Sequence, residues 1–230
     1  MGFIMTNKGE ISLGKILFIL CSLPKTIFFN LRSFDLPTAL KLPVFVGVGC
    51  KVMETHKGII KFEKPFRTFE LRFGWKTRAV IPIGTSTIKL HAGEMRVGRH
   101  VGFAEGCVFD LNGGRLRIGD DFWGNRNFFL SCTHEITIGD DSMAGWNTCL
   151  FDADGHTVFD HGVERVSEKF IRIGNHVWVG AHVHILKRVN IPDGSIVAYG
   201  SLVTRQFEQP NILIGGTPAK QLRDEVEWVH

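Results

Sequence analysis

Ten histidines stand in this 230-residue chain. They are the side chains best suited to proton transfer at neutral pH, since free imidazole titrates at about 6.5. One of them, His156, ends the run Asp152-Ala153-Asp154-Gly155-His156. A histidine beside carboxylates can serve as a general base for a hydroxyl, with a carboxylate orienting the ring or stabilising its cation. The same Asp and Gly residues also suit a turn, which is the role expected for Asp154. His176, His182 and His184 invite a metal reading. Ligands must converge at about 2 Å from the ion. Each of these histidines neighbours an inward aliphatic (Val177, Val183, Ile185), so all three point outward, and no metal is expected. The five cysteines are odd in number, irregularly spaced and without a CxxC pair. They read as buried thiols in a reducing cytoplasm.

What must position His156 is a repeat. Every sixth residue from Ile173 is aliphatic and branched: Ile173, Val179, Ile185, Ile191, Val197 and Val203. A period of six fits neither a helix nor a long flat strand. It fits short strands that turn a corner and repeat, a parallel β-helix in which three hexapeptides close one triangular coil. Ile173 and Ile191 should then stack. Upstream the phase recurs in Val97, Phe103 and Phe109, and in Ile118 and Ile138, one coil plus a two-residue bulge apart. Residues 41 to 95 read as the first, irregular coils. The set Ile138, Ala144, Leu150 reaches its next member at His156, where the aliphatic pattern stops until Ile173. A loop over about 154–169 therefore leaves the coil, and a long loop on an economical repeat is where function concentrates.

The flanks differ. Residues 1–40 carry Leu13, Ile16, Leu17, Leu20 and Leu23 at helical spacing, near Lys15 and Lys25. This short amphipathic helix, ending at Pro24 and too short to span a bilayer, either caps the open end of the coil or lies in a membrane interface. Thr217 and Pro218 predict a C-terminal helix within 216–230. The net charge of +4, without a basic run, excludes a nucleic-acid signature.

The segments DADGH (152–156), IRIGNHVWVGAHV (171–183), GSLVT (200–204) and GGTPAK (215–220) carry a resemblance over about 97–222. The sequence resembles the hexapeptide-repeat acyltransferases, left-handed β-helix enzymes that move an acetyl group from acetyl-coenzyme A. Within them it is similar to the galactoside and maltose O-acetyltransferases and to the capsule and lipopolysaccharide O-acetyltransferases. The first 90 residues match loosely. The resemblance implies an all-β fold and His156 as catalytic base. It implies acceptor contacts at Asn125, with Asp152 and Asp154 beside the base. It implies a coenzyme groove along Trp178, Ala181, Tyr199, Gly200, Thr204, Arg205 and Lys220, and it implies a homotrimer. Asn125 read alone could equally form a coil corner. Thr133 stands where relatives can carry an acceptor-binding aspartate, which departs from the galactoside and maltose pattern.

The expected function is acetyl transfer from acetyl-CoA to a sugar hydroxyl in surface polysaccharide or lipopolysaccharide assembly. It would take place in the cytoplasm, with weak peripheral contact at the inner face of the membrane. N-acetylation of an amino sugar, serine acetylation and a non-catalytic β-helix scaffold are the alternatives.

Overall fold

Two- to five-residue strands cannot satisfy their own backbone N–H and C=O groups, so each must bond to the coil above and the coil below. The computed structural model, which describes residues 13–77, 83–157, 159–164 and 169–230, shows this arrangement. It is a left-handed parallel β-helix. Strands from successive coils pair in parallel, and three inward columns fill the interior. Val97, Ile118, Ile138, Ile173 and Ile191 form one column. Phe109, Leu130, Leu150, Ile185 and Val203 form the second. Phe103, Gly124, Ala144, Val179, Val197 and Ile214 form the third. The 20-residue step Ile118↔Ile138, the 35-residue step Ile138↔Ile173 and the pair Ile173↔Ile191 are the offsets the sequence predicts. Gly124 is small for a reason: a Cβ there would lie 2.5 Å from the Phe103 ring.

One corner is fastened by a ladder of Asp and Asn side chains. Asp120 Oδ1 accepts the Arg99 N–H at 2.9 Å, and Asp140 Oδ1 accepts the Asp120 N–H at 2.8 Å. Asn175 Oδ1 accepts from Asp140 at 2.8 Å, and Asp193 Oδ1 accepts from Asn175 at 2.8 Å. The recurring Ile-Gly-Asp/Asn sequence follows directly. A Cβ at Gly119 would sit 2.1 Å from Asp140 Oδ1.

Both ends are sealed, in ways the sequence predicted only in part. Helix Leu13–Ser33 runs straight through Pro24 rather than stopping there. The ring of Pro24 is exposed, and hydrogen bonds on both sides of it pin the helix to strand Val44–Val46, the free edge of its sheet. Ser22 Oγ accepts the Val48 N–H at 2.9 Å. Thr26 Oγ1 accepts from Val46 at 3.0 Å, and the Asn30 amide both accepts from and donates to Val44. At the other end there is no helix. Strand Leu213–Gly216 adds to Ile196–Val197, and Ala219–Arg223 folds back on it antiparallel. The N-cap chemistry of Thr217-Pro218 loses to the unpaired N–H and C=O groups of the last coil, which a hairpin satisfies and a helix would not. Of the cysteines, Cys50, Cys107 and Cys132 are buried as expected, whereas Cys149 is half-buried and Cys21 lies exposed on the helix; all five are free thiols.

Candidate active site

The coil opens at the corner after strand Cys149–Phe151. Asp152, the next residue, is fully buried. Its two oxygens accept three backbone N–H groups from the coil below: Thr133 at 2.9 Å, His134 at 2.8 Å and Glu135 at 2.9 Å. All three bonds fasten the corner and none goes to His156, so Asp152 anchors the turn from which the loop departs rather than orienting the imidazole as the sequence allowed. Asp154 is exposed and pairs with Lys187, whose ammonium competes for the carboxylate an imidazole would need. The His156 ring is exposed, and among the described residues no hydrogen bond or ion pair holds it.

His156 stands at the rim of a cleft of about 490 Å³. Its wall is the outward row beside the second interior column. Asp110, Ser131 and Phe151 lie in register on successive coils, and Thr133 and His134 flank them. Lys169 closes the far side where the loop returns. The Asp110 carboxylate lies 3.1 Å from the Lys89 ammonium without a well-aligned hydrogen bond. A second depression of about 610 Å³ continues from the first across Thr133, His134 and Lys169, and is bordered by Arg115 and Arg172. Both guanidinium groups lean on Glu135, at 3.1 and 3.5 Å. Asp110, Ser131, His134 and Lys169 escaped the sequence reading. The signal for two of them was available: Asp110 and Ser131 each follow an inward residue of the column that leads to Leu150, and reading down the column exposes them.

No thiol serves this cleft. Burial raises the affinity of the Cys132 sulfur for its proton, and the neighbouring Asp152 carboxylate raises it further. Cys149 is shifted in the same direction by burial. Both thiols stay protonated at neutral pH, so neither is the basic group of the cleft.

No family model matches the sequence. The galactoside O-acetyltransferase of Escherichia coli (strain K12) is 34% identical over 125 residues, 53% of this chain and 60% of that protein. A solved hexapeptide-repeat acetyltransferase from Vibrio cholerae is 34% identical, covering 48% of this chain and 63% of its own, with a TM-score of 0.42. Its homologues are hexapeptide-repeat acetyltransferases. A maltose O-acetyltransferase from Clostridium difficile 630 aligns at 24% identity, covering 60% of this chain and 69% of its own, with a TM-score of 0.41. The chain spans less than two thirds of the length of the first curated relatives it matches.

The other residues singled out by the hexapeptide-repeat resemblance do not gather in one place. Ala181, Tyr199 and Gly200 lie at one corner, where the Gly200 N–H donates to Ala181 C=O at 3.0 Å. The hairpin turn reaches the same corner through Thr217, whose hydroxyl bonds Gly200 C=O at 3.4 Å, and Lys220 follows on its second strand. Trp178 pairs with Ile196 on the adjoining face and is 41% exposed. Thr204 and Arg205 instead follow Val203 of the second column, which stacks on Ile185, and Ile185 on Leu150, so they continue the outward row of Phe151. Asn125 is at a different corner from His156, and its side-chain oxygen accepts the Arg126 N–H at 2.8 Å, which is the corner-forming role. The three clustered histidines do not converge. His176 meets Asp141 at 2.8 Å and stacks on Trp228 at 4.2 Å, with His230 on the other Asp141 oxygen, whereas His182 bonds Asn147 at 3.1 Å.

Proposed function

We propose that the protein is an acetyl-CoA-dependent O-acetyltransferase acting on a sugar hydroxyl, with His156 as general base. The observation that carries the reading is the position of His156: an imidazole unrestrained by any described side chain, at the rim of a cleft, where the coil opens. An alcohol is a weak nucleophile at pH 7, and imidazole can take its proton as the oxygen attacks the thioester carbonyl carbon. The tetrahedral adduct then collapses with cleavage of the C–S bond. The coenzyme thiolate leaves and recovers the proton from the imidazolium, which returns His156 to its starting state. The polar cleft wall of Asp110, Ser131 and Thr133 suits a hydroxyl-rich acceptor, and the names of the relatives, including a galactoside O-acetyltransferase, agree with this class.

The reading includes a homotrimer in the cytoplasm, serving surface polysaccharide or lipopolysaccharide assembly. Trp146 and Trp178 are 38% and 41% exposed on otherwise regular faces. The loop carries a small hairpin, Phe159–Asp160 with Val163–Glu164, whose Phe159 and Val163 are exposed. A neighbouring subunit would bury these groups, and would bring the Trp178, Ala181 and Tyr199 corner towards the His156 cleft of the next chain. Coenzyme A thiol release from acetyl-CoA, measured against a panel of neutral, acidic and amino sugars and envelope oligosaccharides, tests the activity. Turnover with hydroxyl acceptors is expected. Turnover with amino sugars alone would replace the O-acetyl reading by N-acetylation, and no turnover with intact His156 would leave a scaffold.

A further inference from the structure

The helix Leu13–Ser33 is inside out. Its buried residues are Ser22, Thr26, Phe29, Asn30 and Ser33, four of them polar and bonded to the coil: Ser22, Thr26 and Asn30 hold the Val44–Val48 backbone, and Ser33 Oγ meets Thr55 Oγ1 at 2.7 Å. At 100° per residue the opposite stripe is Leu13, Leu17, Leu20, Pro24, Ile27, Phe28 and Leu31. These side chains face away from the coil, with Leu13 81%, Leu17 59% and Phe28 58% exposed. Past the helix, beyond the exposed Asp35, Leu36 and Leu40 are also exposed, at 60% and 72%. A soluble protein seldom displays such a contiguous stripe.

The charges say what covers it. From residue 13 to residue 33 the charged side chains are Lys15, Lys25 and Arg32, with no acid. Lys25 turns inward onto Val48 C=O at 2.6 Å. Lys15 sits over the Trp75 ring, and Arg32 Nε bonds Thr55 C=O at 3.1 Å. The apolar stripe itself is free of charge, and the helix that bears it is cationic throughout, with three bases and no acid. Two copies apposed through this face would bring together two helices of the same positive charge. An anionic lipid surface accepts both the apolar stripe and the positive charge of the helix.

We propose that the exposed face of Leu13–Ser33 docks into the interface of an anionic lipid bilayer, with the helix lying in the membrane plane. The 21-residue helix is long and apolar enough to span by length and composition, longer than the sequence predicted. Spanning would strip Ser22, Thr26 and Asn30 from the strand edge they satisfy, leaving polar groups without partners in hydrocarbon. Docking in the plane keeps every one of those bonds.

Flotation of the full chain with vesicles of phosphatidylglycerol and phosphatidylcholine tests this, against vesicles of phosphatidylcholine alone. The chain is expected to float with the anionic vesicles, less with the neutral ones, and less as salt rises. The double variant Leu17→Glu with Phe28→Glu changes only outward side chains, so its melting temperature should match the parent while its bound fraction falls about tenfold or more. Absence of flotation, or equal flotation of the variant, overturns the proposal. So does a variant that alters the mass of the assembly in lipid-free light scattering, which would assign the face to a second copy. Resistance to extraction at alkaline pH would mean spanning and overturn it too. Thiol release with a soluble acceptor, measured on the same variant, reads the enzymatic assignment separately.

Discussion

Two corners of the same coil use a carboxylate in opposite ways. At the Ile-Gly-Asp/Asn corner the task of holding one coil to the next is spread over Asp120, Asp140, Asn175 and Asp193, each accepting one backbone N–H. At the loop corner a single buried residue, Asp152, takes three. The first arrangement is redundant and stiff, and it supports no opening. The second concentrates the fastening in one side chain, so the chain beyond it is released to carry His156. Regularity and departure from it are separated by where the polar bonds are distributed.

The comparison can be broken in several places. The largest effect should come from His156→Ala, which removes the base without touching either fastening. Turnover should fall by roughly 10²–10⁴-fold while the melting temperature stays put; near-normal turnover in a steady-state thiol assay would show that the open corner is not catalytic. Asp152→Ala comes next. It leaves three N–H groups without their acceptor, so denaturant titration should show a loss of about 3 kcal/mol or more, accompanied by reduced turnover as Thr133 and His134 lose their support. A loss no larger than that of a ladder variant would erase the contrast between the corners. His134→Ala should lower turnover by less than about tenfold, as expected of a wall residue; a fall as deep as that of His156→Ala would transfer the role of base. Asp140→Ala removes one bond among several, and should cost about 1 kcal/mol with activity intact.

The smallest effect concerns acid. Burial pushes the Asp120 carboxyl up, but hydrogen bonds from Lys64 and from the backbone and guanidinium of Arg99 outweigh it and hold the group below the ordinary carboxylate range. A depressed folded value means stability that is complete above about pH 4, the unfolded value, and is lost as pH falls through the folded one. Between pH 6 and pH 3 the melting temperature should therefore fall less in Asp120→Asn than in the parent.

The coil was legible because its period is written in residues that must be inside: the Ile173 to Val203 set and the offsets to Ile118 and Ile138 predict the observed register. The departure point was legible for the complementary reason, since His156 occupies a position where the column demands an aliphatic. The contents of the cleft were less legible. Asp110, Ser131 and His134 are separated from His156 by one or two coils, and only stacking brings them together. The ends misled in a consistent way. Pro24 and Thr217-Pro218 carry local signals for stopping and starting helices, and both were overruled by strand edges whose unpaired backbone groups had to be satisfied. Sequence pattern speaks for neighbours along the chain, whereas an edge makes demands across it.

The parallel stacking also makes the molecule a ruler. From strand Val44–Val46, against which the helix lies, the sheet passes through Leu71–Trp75, Val101–Ala104 and Trp123–Gly124 to Met143–Ala144, the coil that leads into His156. Four steps of about 4.8 Å put that coil roughly 19 Å above the capped end. Whatever surface the helix rests on, an acceptor hydroxyl held close to that surface would pass beneath the cleft, and one carried further out on its chain would meet it. On the proposed activity, the number of coils between cap and cleft would set which acceptor lengths reach it, in increments of one strand spacing per turn of the repeat.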